Sequence, residues 1–147
     1  METDARHLAA LPKEKEWSDW GPEVIIPQVW IDTFSDITND HNSIHQVGGK
    51  SPFGVPIAHG LLVLALLPRL QPDPTKFQIV PERAVINRRI TSRFLYAVCV
   101  ETPICMRTRL ASIVTRSRSS IAVVEFEIAF SENKKKAMTG EIELLFV

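Results

Sequence analysis

The chain has 147 residues in which 17 Lys and Arg balance 17 Asp and Glu, so it is the size of one domain and carries no excess charge for a polyanion such as nucleic acid. A hydrophobic share of 45% allows a real core, since a domain of this length buries about two thirds of its unfolded surface. The longest apolar run, Leu61 to Leu67, is far short of the ~20 residues of a spanning helix, and Met1 to Lys15 is charged where a secretory signal is apolar. These features predict a cytoplasmic protein without a membrane segment.

Residues 1–21 read as a charged, helix-permissive arm that ends in Trp17 and Trp20 and docks by those aromatics, ahead of a single domain over 22–147. Glu23 to Ile26 is a short strand, and Pro27 suits the first turn of a helix whose Trp30, Ile31, Phe34 and Ile37 recur at helical spacing. That helix ends near Asn39, a residue tolerated in left-handed geometry. Asp40 to Pro56 is polar and rich in Gly and Pro, which predicts an ordered loop without regular structure. Ile57 to Leu70 is apolar on every side until Arg69, the pattern of a helix enclosed by other structure.

After a Pro-rich connector, Gln71 to Pro81, the chain alternates at period two. Val124, Phe126, Ile128 and Phe130 oppose Glu125 and Glu127, while Ile142, Leu144 and Phe146 oppose Glu141 and Glu143. These are antiparallel strands, with hairpin turns at Arg116 to Ser119 and Glu132 to Lys135. A buried helix with a curled antiparallel sheet is an α+β architecture. Cys99 and Cys105 lack the spacing of a zinc or redox site and read as reduced thiols. No carboxylate or thiolate set clusters with the four histidines, so no metal is expected, and Gly48, Gly49 and Gly54 make no dinucleotide fingerprint.

Chemistry concentrates in Asp40-His41-Asn42-Ser43-Ile44-His45 and in Pro56-Ile57-Ala58-His59-Gly60. A loop Asp and His alone are more often a cap and a surface imidazole, yet the two can share a water and do acid-base work near neutral pH. Gly60 opens an apolar helix, where free N–H groups favour negative charge and glycine admits a ligand close to the backbone. A thioester carbonyl polarised there makes an adjacent double bond electrophilic. His59 reads as a structural histidine at the helix start, His41 as a solvated loop residue, and His7 belongs to the arm. Lys50, Arg69, Arg83, Arg88, Arg89 and Arg93 are candidates for a phosphate clamp, though each reads first as part of a solvated face.

The run Phe34 to His45 resembles the signature of the MaoC-like, (R)-specific enoyl-CoA hydratases, and Ser51 to Leu62 is similar to the second block of that family, nearest its nodulation-protein-N-like branch. A looser likeness continues through Arg93-Phe94 and Met138-Thr139-Gly140-Glu141. The resemblance implies a hot-dog fold, a central buried helix wrapped by a curved antiparallel sheet, usually dimeric. It implies that Asp40 and His45 are the catalytic pair, that Asn42 helps hold their loop, and that Gly60 gives a backbone donor to the thioester oxygen. Phe53 and Gly54 of the second block join the substrate-binding set. The implied reaction interconverts trans-2-enoyl and (3R)-3-hydroxyacyl thioesters of coenzyme A or acyl carrier protein without a cofactor. The alternative is a hot-dog acyl-thioesterase or a non-catalytic acyl-thioester-binding protein. The sequence departs from the family pattern at Asn39 (usually Gly) and Ser43 (usually Pro). It also lacks a helix hydroxyl between Gly60 and Gln71 to support Asp40, and carries Val100-Glu101-Thr102 where a Gly-Asp turn is commoner.

Overall fold

The computed structural model describes residues 16–72 and 84–147, so His7, Arg83 and nearly all of the Pro-rich connector lie outside it. Helix α1 spans Gln28–Thr38, a 3-10 turn spans Ser43–His45, and two short helices follow, α2 at Gly60–Ala65 and α3 at Leu67–Leu70. Four long strands complete the chain: β1 at Val85–Phe94, β2 at Ile104–Thr115, β3 at Ser120–Phe130 and β4 at Lys136–Phe146. They form one antiparallel sheet in the order β1-β4-β3-β2.

Alternation along the strands sets the layers. Met106, Phe126, Ile128 and Met138 turn toward the helices and pack with Ile31, Val63 and Leu70, all of them buried. A second cluster, Leu110, Ala122, Val124 and Phe146, fills the far end of the sheet. Both predicted hairpins form: Arg116 N–H donates to the Ser119 carbonyl at 2.8 Å, and Phe130 N–H to the Lys135 carbonyl at 3.0 Å, with Lys134 left-handed at φ 57°. On the other face of the sheet, Glu127 accepts from Arg107 (2.7 Å) and Lys136 (2.8 Å).

The end of the arm runs beside β2. Ser18 and Gly21 N–H groups donate to the Thr108 and Met106 carbonyls at 2.8 Å, which stands Trp17 and Trp20 against the Arg107 guanidinium at 4.7 and 4.9 Å. Val24 is a single bridge partner of Ile104 rather than part of a strand, because Pro22 and Pro27 remove the donors that would extend the ladder.

Three expectations need correction. In α1 the inward face is narrower than the spacing suggested: Ile31 and Ser35 are buried, while Ile37 at the last turn is 78% exposed. Regular helix starts at Gly60 instead of Ile57, since Ile57 bridges Cys99 and Ala58 N–H donates to the Val98 carbonyl at 2.8 Å. It then breaks at Leu66, two residues before Pro68, whose ring disfavours a helical carbonyl at Leu64. Within this single chain Leu61 is 63% exposed, so the central helix is enclosed on one side and open on the other.

Burial alone would push the Glu127 carboxyl up, but its Lys136 and Arg107 bonds outweigh that and hold it below the ordinary 4.5. A depressed carboxylate contributes stability that is present above its unfolded value and is lost as pH falls through the folded one. Glu127→Gln is therefore expected to cost roughly 1–3 kcal/mol near neutrality and to flatten the loss of stability below pH 4.5, read as urea midpoints against pH. An unaltered acid limb would remove Glu127 from the account.

Candidate active site

The site begins where α1 stops. Asn39 takes the left-handed conformation, φ 57° and ψ 27°, that ends a helix, and both its N–H and that of Asp40 (3.1 Å) return to the Ser35 carbonyl. This turn throws Asp40 out of the helix with its side chain 51% exposed. Asn42 then fixes the loop twice: its N–H donates to Asp40 Oδ1 and its own Oδ1 accepts from Ile44 N–H, each at 3.3 Å. The Asn42 cap starts the one-turn helix that carries His45 inward.

His45 is buried and one edge of its ring is anchored. Nδ1 lies 2.7 Å from the Ile57 carbonyl, which can only accept, so the neutral imidazole keeps its proton on Nδ1. Nε2 is left with a free lone pair, 3.9 Å from Asp40 Oδ2. The backbone is held as well, by Gln28 Nε2 on the His45 carbonyl at 2.9 Å and by Ile57 N–H on the Ile44 carbonyl at 3.0 Å.

Two acceptors at that separation suit one water. With contacts of about 2.8 Å to each, the water sits off the line between them and sees them at roughly a right angle, close to the angle between its own O–H bonds. One hydrogen then points at Nε2 and the other at the carboxylate.

Beside this pair an open cleft of about 500 Å³ is lined by Ile44, His45, Ile57, Gly60, Val63 and Met138 among others, with Phe94 and Tyr96 at its side. A Cβ at Gly60 would stand 2.6 Å from the Phe94 ring, so a side chain there requires that half-exposed ring to shift. A second cavity of about 360 Å³ lies between the short helices and the sheet, and Leu61 lines both.

Of the residues singled out in sequence, Asp40 and His45 come together and Gly60 shares the cleft with His45. Asn42 braces the loop and does not line the cleft. Phe53, 56% exposed, and Gly54, in a left-handed turn at φ 77°, lie outside its lining. Among the described residues none of the proposed phosphate-clamp cations lines it either; Arg69 lies over the Trp30 ring and Arg88 faces Glu143.

Two residues matter more than the sequence suggested. His59 is only 3% exposed and stacks on His45, the ring centroids 3.7 Å apart and the planes 23° from parallel. Its Nε2 reaches Ser35 Oγ at 3.0 Å and the Asp40 carbonyl at 3.4 Å. Burial pushes His59 below the ordinary 6.5; the Asp40 carbonyl bond works against this, and the His45 ring adds to it. Ser35 was legible in one respect, as a hydroxyl four residues after Ile31 on the inward face of α1.

Asp40, His45 and His59 offer ligand atoms within 4.8 Å of one another, so the clustering that the sequence spacing did not suggest is present. The residues still suit a metal poorly. Ring lone pairs lie in the ring planes, and two nearly parallel planes 3.7 Å apart do not converge on one point at about 2.0–2.1 Å from each nitrogen.

No protein-family model matches the chain. It is 48% identical over 68 residues to 3-hydroxyacyl-thioester dehydratase Z of Mycobacterium tuberculosis, a match covering 44% of this chain and 43% of that protein. It is 44% identical over 54 residues to nodulation protein N of Rhizobium leguminosarum bv. viciae, covering 34% and 32%. The matches thus span less than half the length of these relatives. Among solved structures, an (R)-hydratase from A. caviae involved in PHA biosynthesis superposes with TM-score 0.68 at 20% identity, covering 90% of this chain and 98% of that one. A MaoC-like dehydratase from Rhodospirillum rubrum gives 0.71 at 11%, covering 91% and 92%. The chain has the hot-dog fold of the MaoC-like and (R)-hydratase structures, and its sequence is similar over part of its length to a 3-hydroxyacyl-thioester dehydratase and to nodulation protein N.

Proposed function

We propose that the chain is an (R)-specific hydratase and dehydratase that interconverts trans-2-enoyl and (3R)-3-hydroxyacyl thioesters in the cytoplasm, with residues 22–147 as the working domain and 1–21 as its arm. The observation that carries this reading is the pair of acceptors 3.9 Å apart, an imidazole Nε2 with its lone pair free and a carboxylate Oδ2, at the mouth of an apolar cleft. Such a pair holds a water by both hydrogens.

In the hydration direction His45 Nε2 takes a proton from that water as its oxygen bonds to the β-carbon. Electrons move into the thioester carbonyl, whose oxygen meets the Gly60 N–H. The proton held by the Asp40 and His45 pair then returns to the α-carbon, so H and OH have been added and no redox cofactor is consumed. The tautomer supports His45 as the base and Asp40 as the group that orients the water and shares the proton. Asn42 keeps the loop in place, and Phe53 and Gly54, exposed between His45 and Ile57, are assigned to the outer end of the substrate. The apolar lining suits an acyl chain carried by coenzyme A or by an acyl carrier protein.

The reading includes a homodimer. Residues 18–24 bond to Ile104, Met106 and Thr108 of the β2 edge, whereas β1 pairs only with β4 among the described residues and exposes Val85, Ile86 and Ile90 beside Arg88, Arg89 and Arg93. An unpaired edge with exposed apolar residues is one that a second copy covers.

Crotonyl-CoA and longer enoyl-CoAs, followed for loss of conjugation and for thiol release together, test the reaction. Loss of conjugation with the thioester intact is expected; thiol release instead would identify a thioesterase, and neither would leave a binding protein. Asp40→Asn keeps the shape of the side chain and removes its charge. Turnover is expected to fall ~10²–10⁴-fold, roughly 3–5 kcal/mol of barrier, with affinity nearly unchanged. Unchanged turnover would take Asp40 out of the mechanism.

Gly60→Ala is expected to displace the Phe94 ring into the cleft and cut turnover at least tenfold. Adding Phe94→Leu to it separates crowding by the ring from crowding by the methyl group: recovery shows that the ring was the obstacle, and continued loss places the methyl group in the way of the thioester itself. Full activity of Gly60→Ala would show that the thioester does not come close to this stretch of backbone. For the dimer, Ile90→Lys is expected to shift sedimentation from dimer to monomer at micromolar concentration. A parent protein that is already monomeric there would refute the pairing.

A further inference from the structure

We infer that His59 is a positioning residue, which by stacking on His45 and bonding through Nε2 to Ser35 and to the Asp40 carbonyl fixes the ring of one site group and the backbone of the other. The catalytic meaning of this rests on the hydratase reading above; the positioning itself rests on the geometry alone.

The hydrogen-bond inventory sets the state of the ring. A backbone carbonyl has no hydrogen to give, so a nitrogen that faces Asp40 O at 3.4 Å must be the donor, and Ser35 Oγ at 3.0 Å is its second acceptor. Nδ1 is then the bare nitrogen, and among the described residues it is buried without a partner. With the tautomer reversed, Nε2 would set its lone pair against the carbonyl and an N–H would be buried unpaired, which is worse at both ends.

That geometry constrains His45 where its own bonds do not. The Ile57 carbonyl fixes one edge of the His45 ring, but a single bond at Nδ1 leaves the ring free to swing about that edge. A flat neighbour at 3.7 Å and 23° removes the swing and aims Nε2 at Asp40. The same neighbour, by holding the Asp40 carbonyl, stops the Asp40 backbone from drifting away as its exposed side chain moves. Among the described residues the titratable groups that bear on His59 are His45 and Asp40; its other neighbours, Phe34 and Ser35, carry no charge. Burial keeps His59 neutral, so a proton gained by His45 in turnover meets the face of an uncharged ring and not a second cation.

Two substitutions divide the contributions. His59→Phe retains a flat ring and loses both hydrogen bonds, while His59→Gln retains a donor near the Nε2 position and loses the stack. Nitrogen-15 resonances of His45 report its tautomer and ring environment without any substrate. They are expected to report an Nδ1–H ring in the parent. In the folded His59→Phe and His59→Gln proteins they are expected to shift and broaden as the ring swings, with the proton still on Nδ1 against the Ile57 carbonyl. Enoyl-CoA turnover is expected to drop ten- to hundredfold, the cost of a misplaced but intact acid-base group, with KM changed less than about threefold and with the pH profile of turnover displaced. Ser35→Ala, which removes one acceptor without adding bulk, is expected to show a smaller version of both changes and covers the case in which a His59 variant does not fold. If His45 resonances are unaltered in the folded variants, the inference is overturned whatever the turnover. If the parent turns over no enoyl thioester while the resonances shift as expected, the hydratase reading fails and the positioning stands.

Discussion

One serine ties the site together. The Ser35 carbonyl receives the N–H groups of Asn39 and Asp40, which fixes how α1 ends, and its hydroxyl receives the His59 ring, which fixes how α2 begins. The two ends are 24 residues apart in sequence, and the longer bond from His59 Nε2 to the Asp40 carbonyl is a second tie between them. Hydrogen bonds of this kind contribute about 1 kcal/mol each in net stability, so the knot is minor for the fold as a whole. For the site it is decisive, because Asp40 and His45 leave this junction in opposite directions, one toward solvent and the other into the core.

Burial at the junction is tolerated because nearly every polar atom has a partner. His45 uses Nδ1 on the Ile57 carbonyl, and its own carbonyl receives Gln28. The exception is His59 Nδ1, a buried acceptor that has no donor among the described residues. An unsatisfied acceptor costs free energy, and here that cost accompanies a neutral ring against the face of His45. A sequence optimised for stability alone would put an apolar ring at this position.

The departures from the family pattern that sequence reading identified now have physical content. Asn39 occupies the left-handed position where glycine is usual, and Asn pays less than other side chains there because it is short and polar. Ser43 stands at the first position of the 3-10 turn, where a proline would only preset the backbone, and the Asn42 cap does comparable work. Glu101, where a glycine turn is commoner, is left-handed as well, at φ 60°, a strain of roughly 1–2 kcal/mol that its N–H bond to the Ile26 carbonyl at 3.0 Å helps to offset. The missing helix hydroxyl in support of Asp40 has a counterpart on another element, since Ser35 of α1 reaches the Asp40 carbonyl through His59. Local rules were therefore legible at the helix end, in both hairpins and along the alternating faces of β3. What was not legible depends on distance in the chain: the width of the inward face of α1, the bridge to Cys99 that delays α2 until Gly60, and the stacking of His59 on His45. Spacing within a segment carries no information about which segment it will touch.

The two edges of the sheet are treated differently, and this bears on how the molecule meets others. On the β2 side, Ser18, Gly21 and Val24 occupy backbone positions of the edge, and Trp17 and Trp20 cover the cations above it. On the β1 side the described residues leave the edge unpaired, with Val85, Ile86 and Ile90 exposed beside Arg88, Arg89 and Arg93. A sheet with two open edges adds copies without limit, as filaments do. Among the described residues one edge is covered over part of its length, and a copy pairing at β1 would use up the other. Because β1 ends in Phe94, whose ring lies against Gly60 in the cleft, pairing there would also set the stiffness of one wall of the site.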